Sequence, residues 1–326
     1  MSSDRRGGAA ATIPEADELR DRDLPRSVER LVDIYDDALG CRDRYIWGWL
    51  DATLPTFGLD CVPPDRRELT NEGRLLVSLY VTILNDLSDR RDDHTAFEAA
   101  ARVPADGRPE TGSDADDPAV RLAAAAWETL LTRLSDAPRF EAYRETLEAN
   151  LAATADAQRH TARTADDPTH ADYEECLAEQ SPTMCMDALA TVDLICSPGF
   201  DPADEPAVRE AVRAVEPLGR IGNWLTTWER ELAEGDLANG VVVRAVESGA
   251  VSPAQVERAR TDPEFRPTFR DLVHGSGVER AIGRDWRRRF RRANETDWDA
   301  DSVDLDTYVA AMDTVRTHHD ASHGYK

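Results

Sequence analysis

Three polar side chains recur at four-residue intervals in the segment "GRIGNWLTTWERELAEGDLANG" (219–240). Asn223, Thr227 and Glu231 would lie along one face of an α-helix over roughly 12 Å, because a four-residue step turns a helix by about 400°. Amide, hydroxyl and carboxylate oxygens are hard donors that suit Mg²⁺, which keeps several waters and often bridges to a phosphate. The segment predicts a magnesium site, with a solvated polar helix face as the alternative in so acidic a chain.

Two arginines accompany these predicted ligands. Arg220 lies three residues before Asn223, on the same helical face, and Arg230 directly precedes Glu231. Guanidinium groups form charge-assisted hydrogen bonds with phosphate oxygens, so we expect the two arginines to hold an anionic group beside the metal. Three further residues follow at the predicted helix end: Gly235, Asp236 and Asn239.

A second acidic cluster lies upstream, after the apolar run "LLVSLYVTIL" (75–84). A helix that is apolar nearly all round belongs in the middle of a bundle. The run ends in Asp86 and Asp89, which are three residues apart, and Asp92 and Asp93 extend the cluster. Carboxylates on one face repel each other unless a cation lies between them. We therefore expect Asp86 and Asp89 to bind metal, with an acidic helix end on the surface as the alternative.

The two segments resemble the metal-binding motifs of class I terpene synthases. The string R-x-x-N-x3-T-x3-E-x3-G-D-x2-N, from Arg220 to Asn239, is similar to the second motif of that family. The acidic residues 85–89 are similar to the first motif and end 134 residues before Asn223. They depart from it at Asn85, where the family has an aspartate. The resemblance covers roughly residues 30–310.

The resemblance implies an all-α fold, a single-domain helical bundle with an apolar central cavity and both motifs at its mouth, over residues 28–320. It implies a prenyl diphosphate substrate of C15 to C20 or longer and Mg²⁺ as cofactor, three ions together with the bound diphosphate. The reaction would be that of a carbon–oxygen lyase acting on phosphates: ionisation of the diphosphate, then cyclisation or deprotonation of the carbocation. The implied metal ligands are Asp86, Asp89, Asn223, Thr227 and Glu231, and the implied diphosphate donors are Arg220 and Arg230.

Two other functions stay open at this stage. A prenyl-chain condensing enzyme has the same fold, although it would need a second acidic motif in place of the amide, hydroxyl and carboxylate. A non-catalytic helical binding or scaffold protein is the other option, supported by Asn85 and by a missing arginine. The family usually has a diphosphate-sensing arginine some forty residues before the second motif, and here Gln180 or Ser181 stands nearest that place.

A helix break and several large side chains could shape the predicted apolar pocket. Pro182 lies inside a helical pattern, where proline removes a backbone donor and kinks the helix. Ring faces stabilise cations without offering them a nucleophile, and we expect two or three of the following residues to touch substrate. They are Tyr45, Trp47, Trp49, Tyr80, Trp224, Trp228, Met184 and Met186. An arginine-rich segment, 280–292, supplies either a diphosphate donor or a salt-bridged surface helix.

Helical periodicity dominates from residue 28 onward, with apolar residues at three- and four-residue intervals, and no run alternates as strands do. The predicted helical segments include 28–51, 68–100 and 264–292. The chain has no internal repeat, which favours a bundle over a solenoid. Residues 1–27 lack periodicity and predict a flexible N-terminal tail, and 103–118 predicts a long mobile loop.

The amino-acid composition indicates the environment in which the protein works. The formal charge of −25 arises from 64 acidic and 39 basic residues, and Lys326 is the only lysine. Such a surface is typical of halophilic proteins, since concentrated salt screens its self-repulsion. The charge argues against nucleic-acid binding. The five cysteines lack metal-site spacing, and no apolar run is long enough for a membrane span. We expect a soluble cytoplasmic protein with no stable membrane insertion, and a homodimer is one option for its assembly.

Overall fold

The structure is a computed structural model that describes residues 14–108 and 113–325. Within those ranges the regular structure is helical, and no strand is present. The first half contains α1 (Ala16–Arg20), α2 (Arg26–Ala38), α3 (Tyr45–Thr53), α4 (Arg67–Asn85), α5 (His94–Asp106), α6 (Ser113–Asp116), α7 (Pro118–Leu134) and α8 (Phe140–Asp166). The second half contains α9 (Tyr173–Gln180), α10 (Met186–Ile195), α11 (Glu205–Glu234), α12 (Gly240–Glu247), α13 (Pro253–Thr261), α14 (Arg266–Ser276), α15 (Val278–Asn294), α16 (Leu305–Ala310) and α17 (Met312–Ala321).

Shorter turns join these helices. A π-helical turn, Asp86–Arg90, follows α4 directly. Single 3₁₀ turns cover Leu54–Phe57, Pro64–Arg66, Ser181–Met184, Pro202–Asp204 and Pro263–Phe265. All five of these turns have proline in their first two positions, because proline's fixed φ suits a helical start.

Two long helices carry the chemistry predicted from sequence. α4 is buried over nearly its whole C-terminal half, and it packs against α3, α7, α8 and α10. α11 packs against α9, α10, α12, α15 and α17. Their apolar side chains belong to one contiguous core. The expected all-α bundle, with a buried helix leading into the acidic residues, is confirmed.

The N-terminal region is more ordered than the predicted tail. α1 packs against α3, and Leu19 is 2% exposed in a small cluster with Tyr45 and Trp49. Gly48 permits this contact, since a Cβ there would lie 1.9 Å from the Leu19 carbonyl oxygen. Residues 14–27 therefore extend the packed body, while residues 1–13 of the predicted tail lie outside the described part.

Several predicted helices are divided in the structure. The 28–51 segment breaks near Gly40, whose φ is 58°, and the 68–100 segment breaks at the π turn. The 264–292 segment breaks at Gly277, with φ 83°. Positive φ suits glycine because it has no Cβ to clash with the backbone. Part of the predicted 103–118 loop is helical, since α5 extends to Asp106, and residues 109–112 lie outside the described ranges.

Among the described residues, no helix is both long enough and apolar enough to span a membrane.

Candidate active site

A cavity of about 970 Å³ opens between the C-terminal ends of α4 and α11. Both segments predicted from sequence reach it. Oxygen-bearing side chains line it from the two sides: Asn85, Asp89, Asn223, Thr227, Glu231 and Asp236. Residues more than 130 positions apart in the chain are thus brought together at one site.

On the α11 side of the cavity, the three predicted ligands lie along one helix face, as their four-residue spacing predicts. Because α11 is a continuous helix, Asn223, Thr227 and Glu231 follow one another along the cavity wall. The Thr227 hydroxyl donates to the Asn223 backbone carbonyl at 2.9 Å, which leaves the lone pairs of its oxygen available as a ligand.

The residues after α11 hold Glu231 in place. Gly235 ends the helix with φ 95°, and the chain returns so that the Asn239 side-chain amide donates to Glu231 Oε2 at 2.6 Å. The Asn239 Oδ1 atom in turn caps α12 by accepting from the Val241 amide at 2.9 Å. Asn239, the last residue of the second motif, therefore orients the carboxylate of Glu231.

The α4 side differs from the prediction. The Arg91 amide bonds to the Asp86 carbonyl, five residues back, and this widened π turn no longer brings side chains three residues apart to one face. Asp89 lines the cavity, whereas Asp86 is 0% exposed and does not. Asp86 accepts from Tyr35 Oη at 2.5 Å and from Arg42 Nε at 2.8 Å. The structure therefore separates Asp86 from the other predicted ligands.

Asn85 joins an unpredicted arginine to Asp89. Its Oδ1 accepts from Arg42 Nη2 at 2.8 Å, and its Nδ2 donates to the Asp89 carboxylate. Arg42 lies outside both motifs, on the segment between α2 and α3, and no local spacing signals its role. The only sequence signal for Arg42 is that it is a basic residue in an acidic chain.

Gln180 positions Arg220. Its Oε1 accepts from Arg220 Nη2 at 2.9 Å, and the guanidinium carbon lies 5.3 Å from the centre of the Trp224 ring. Burial lowers the pKa of Arg220. The place of the expected sensor arginine is therefore taken by an amide that fixes a different arginine, the first residue of the second motif.

A rim of charged pairs connects the two sides of the cavity. Arg230 pairs with Glu234 and lies 3.4 Å from Glu231, and Arg90 contacts the same Glu234 carboxylate at 3.3 Å. Glu234 thus bridges an arginine of the π turn to an arginine of α11.

Three carboxylates crowd the cavity. Asp89 is accessible to the cavity space, yet protein atoms surround it, and this desolvation together with the charge of Glu231 raises its pKa. Burial, followed by the charges of Glu231 and Asp89, likewise raises the pKa of Asp236. Carboxylates are held this close at lowest cost when a cation lies among them.

The donor set fits a magnesium ion that is shared with a ligand. In the described ranges, no group of three or more His, Cys, Asp or Glu residues is arranged to hold a metal ion by itself. The available donors are carboxylates together with the Asn223 amide and the Thr227 hydroxyl. Mg²⁺ commonly takes one or two carboxylates and completes its shell with water and substrate phosphate, so this mixed set suits it.

A smaller chamber of about 200 Å³ adjoins the polar cavity, and Asn85, Asp89, Arg220 and Asn223 line both. Its walls are mostly apolar: Trp49, Leu54, Phe57, Val81, Leu189 and Met312. Three of the large residues singled out in the sequence line it, namely Trp49, Met184 and Met186. The others pack in the core outside its lining.

The predicted helix break at Pro182 is present beside this chamber. α9 ends at Gln180, a 3₁₀ turn follows, and Cys185 takes a left-handed conformation with φ 51° before α10 begins. The Pro182 carbonyl accepts from Thr154 Oγ1 at 3.1 Å and from the Cys185 amide at 3.0 Å. The break brings Thr183 and Met184 into the chamber wall.

The C-terminal arginines lie elsewhere. Within segment 280–292, all of which the structure describes, no arginine lines either cavity. Arg289 pairs with Asp285 at 3.0 Å and with Glu174, as a surface helix would. Tyr308 is buried, and Tyr325 stacks on Tyr45 with ring centres 5.1 Å apart.

Comparisons with known proteins agree with this geometry. Residues 77–262 match the model of terpene synthase family 2, C-terminal metal binding. The geranylgeranyl pyrophosphate synthetase of Pyrococcus horikoshii has a similar structure, with a TM-score of 0.55 at 13% identity over 93% of this chain and 98% of that chain. A variant of cucumene synthase gives a TM-score of 0.50 at 19% identity over 93% of this chain and 95% of that chain. No match was found among curated proteins.

The matched residues span both predicted motifs, from the buried half of α4 through the whole of α11 and α12. The solved structures share the fold, and the family match rests on the metal-binding region itself. The chain therefore belongs to terpene synthase family 2, a family of isoprenoid metabolism.

Proposed function

We propose that this protein is a class I terpene synthase that ionises a linear prenyl diphosphate with the help of Mg²⁺ and cyclises or deprotonates the resulting carbocation. One observation carries the proposal: Asp89, Asn223, Thr227 and Glu231 line a polar cavity that adjoins a mostly apolar chamber and shares lining residues with it. An amphiphilic substrate with a charged head and a hydrocarbon tail matches these two adjoining spaces.

The proposed metal-binding residues come from both sides of the cavity. Asn223, Thr227 and Glu231 would hold Mg²⁺ from α11, and Asp89 would hold it from the π turn. Bound Mg²⁺ would supply positive charge that stabilises the departing diphosphate. Asp86 is left out of this set, because its carboxylate is buried and already accepts from Tyr35 and Arg42.

Arginines would bind the diphosphate from the cavity walls. Arg220 lines the cavity and is oriented by Gln180, and its Nε has no hydrogen-bond partner in the described part of the chain. Arg230 would contribute from the rim, where it lies next to Glu231. Guanidinium groups suit this role, since they remain charged and present several donors.

The apolar chamber would protect the carbocation. With the hydrocarbon tail bound, its mostly apolar walls would exclude bulk water, which would otherwise quench the cation to an alcohol. The Trp49 ring would stabilise positive charge through its π face, and the thioethers of Met184 and Met186 are soft and polarisable neighbours. Formation of discrete products depends on how tightly these side chains enclose the hydrocarbon tail.

The two alternatives fit the site less well. A condensing enzyme would need a second acidic motif on α11, where this chain has an amide and a hydroxyl. A scaffold would have no use for Asp89, Glu231 and Asp236 crowded together, because their mutual repulsion destabilises a protein that binds no cation.

The decisive experiment measures pyrophosphate release and product mass from purified protein in high KCl and Mg²⁺, given C15, C20 and longer prenyl diphosphates. We expect pyrophosphate together with a discrete hydrocarbon or alcohol, and loss of both in Glu231→Gln. A longer prenyl diphosphate formed only when isopentenyl diphosphate is added would instead identify a condensing enzyme.

A binding measurement distinguishes an enzyme from a scaffold. A ligand that binds the folded state raises the melting temperature, so Mg²⁺ and pyrophosphate together should stabilise a working site more than either alone. Folded protein whose melting temperature responds to neither, and which releases no pyrophosphate with any chain length, would contradict the proposed function.

A further inference from the structure

Arg42 lies where the polar cavity meets the apolar chamber. It lines both spaces, although it belongs to the segment between α2 and α3, far in sequence from either motif. Its side chain is only 13% exposed. A charged group this enclosed normally has a partner or a ligand.

Two of the three guanidinium nitrogens of Arg42 are engaged. Nε donates to Asp86 Oδ1 at 2.8 Å, and Nη2 donates to Asn85 Oδ1 at 2.8 Å and lies 2.6 Å from Asp86 Oδ1. Tyr35 holds the other Asp86 oxygen, so the carboxylate cannot turn away. Nη1 makes no hydrogen bond within the ranges that the structure describes. The guanidinium is therefore fixed in orientation and keeps one nitrogen with free donors.

We propose that Arg42 binds the diphosphate of the substrate through Nη1, together with Arg220, and that Asp86 and Asn85 are positioning residues for it and not metal ligands. This inference rests on the proposed function, whose site it deepens. Arg42 and Arg220 both line the polar cavity and the chamber, so a diphosphate at their junction would have a guanidinium from each side.

The proposal gives a physical reason for Asn85. An amide accepts from Arg42 with its oxygen while it donates to Asp89 with its nitrogen. An aspartate there could accept but not donate, and it would add another negative charge next to Asp89. Asn85 thus links the Arg42 guanidinium to Asp89, the proposed metal ligand, and helps to orient both. As a neutral residue it adds no repulsion among the carboxylates.

The test separates binding from structure with a double variant. Arg42→Gln should weaken the affinity for pyrophosphate in Mg²⁺ about tenfold or more, measured by titration calorimetry, because a charge-assisted contact is lost. It should also lower the melting temperature, since the buried Asp86 would lose its nearer counter-ion and keep only Arg90, 3.5 Å away. In the double variant Arg42→Gln, Asp86→Asn, stability should recover while the affinity stays low. Arg121→Gln, an exposed arginine on α7, controls for the loss of one charge.

Recovery of wild-type pyrophosphate affinity in the double variant would overturn the proposal, because Arg42 would then serve only to neutralise Asp86. Should the double variant fail to fold, Arg42→Lys keeps the charge beside Asp86 but lacks the forked donors, and it should bind pyrophosphate several-fold more weakly. Wild-type affinity in Arg42→Lys would equally contradict the proposal.

The role of Asp86 has a readout of its own. Asp86→Asn should leave the Mg²⁺ concentration required for half-maximal pyrophosphate binding within about twofold of the wild-type value, because the carboxylate is not a ligand. A large rise in that Mg²⁺ concentration would indicate that Asp86 is a metal ligand after all. If wild-type protein binds no pyrophosphate with Mg²⁺, the proposed function itself fails, and this inference fails with it.

Discussion

The C-terminal ends of α4 and α11 both bring polar residues to one cavity, but they do so differently. On α11 the helix is continuous through Asn223, Thr227 and Glu231, and all three side chains reach the cavity. After α4 the chain enters a π turn, so that Asp89 reaches the cavity and Asp86 points into the core. Spacing of three or four residues predicts a shared helix face only where the helix itself stays regular.

Burial accounts for the remaining difference. On the α4 side, Arg42 draws Asp86 into a buried pair, and the site loses a carboxylate but gains a guanidinium. On the α11 side, Glu231 stays on the cavity wall, where Asn239 holds its Oε2 at 2.6 Å and Arg230 lies 3.4 Å from its Oε1. A carboxylate on the cavity wall remains accessible to a cation, whereas the fully buried Asp86 does not.

The largest expected effect is on α11. Replacing Glu231 with Gln should slow pyrophosphate release roughly a hundredfold or more, since it removes charge that the transition state depends on. Glu234→Gln, one turn further along the same helix, is the matched control, because Glu234 pairs with Arg90 and Arg230 at the rim. Single-turnover kinetics in saturating Mg²⁺ would measure both. Equal losses in the two variants would contradict the assignment of Glu231 as a ligand.

On the α4 side, the two aspartates should respond differently. Asp86→Asn should lower the free energy of unfolding by about 3 kcal/mol, because Arg42 would be left buried without its counter-ion. Asp89→Asn should cost little stability, since it relieves repulsion from Glu231, but it should raise the Mg²⁺ requirement. Denaturant titrations of both variants in high KCl, with and without Mg²⁺, test this. The reverse pattern would mean that Asp86 is the ligand.

A third comparison sets Asp86 against Glu216, a buried acid on α11. Glu216 accepts from the Met186 amide at 3.0 Å but has no ion-pair partner among the residues that the structure describes, and burial followed by the charge of Asp187 raises its pKa to about 8. Its protonated form is therefore favoured in the folded state. The stability it contributes is complete below its unfolded pKa, near 4.5, and is lost as pH rises through the folded pKa.

We expect wild-type protein to lose on the order of 1 kcal/mol of unfolding free energy per pH unit between about pH 5 and 8 from this group, and Glu216→Gln to lack that slope. The charge of Asp187 contributes to the raised pKa of Glu216, and burial followed by the charge of Glu216 raises the pKa of the Cys185 thiol. Denaturation curves at several pH values check the prediction, with Asp187→Asn as a control for the neighbouring charge. Parallel pH profiles for wild type and Glu216→Gln would exclude an effect of Glu216.

The smallest expected effect concerns the positioning of Arg220. Gln180→Leu should weaken pyrophosphate binding about fivefold, because it removes the charge-assisted hydrogen bond that orients Arg220 and leaves the guanidinium less constrained. Gln180→Glu keeps an acceptor and should retain the orientation of Arg220. Calorimetry in Mg²⁺ would measure both. Unchanged affinity in Gln180→Leu would mean that Trp224 alone fixes the guanidinium.

The local sequence determined several features of the helices and of the site in this protein. The four-residue spacing of Asn223, Thr227 and Glu231, the apolar stretch that leads to residue 85 and the break at Pro182 are properties of single helices, so sequence was sufficient to predict them. The all-α fold and the terpene synthase family followed from the same segments, because the motif spacing is a local property and the family match covers both motifs.

Only the tertiary structure decided which carboxylate of the first motif faces the cavity. The direction of Asp86 depends on a π turn and on Arg42, whose side chain meets it from 44 residues away in the chain. The contact of Gln180 with Arg220 spans 40 residues and likewise has no local signature. Side-chain direction at a helix end is set by burial and by the nearest opposite charge. Both arise from packing between distant segments, which residue spacing does not encode.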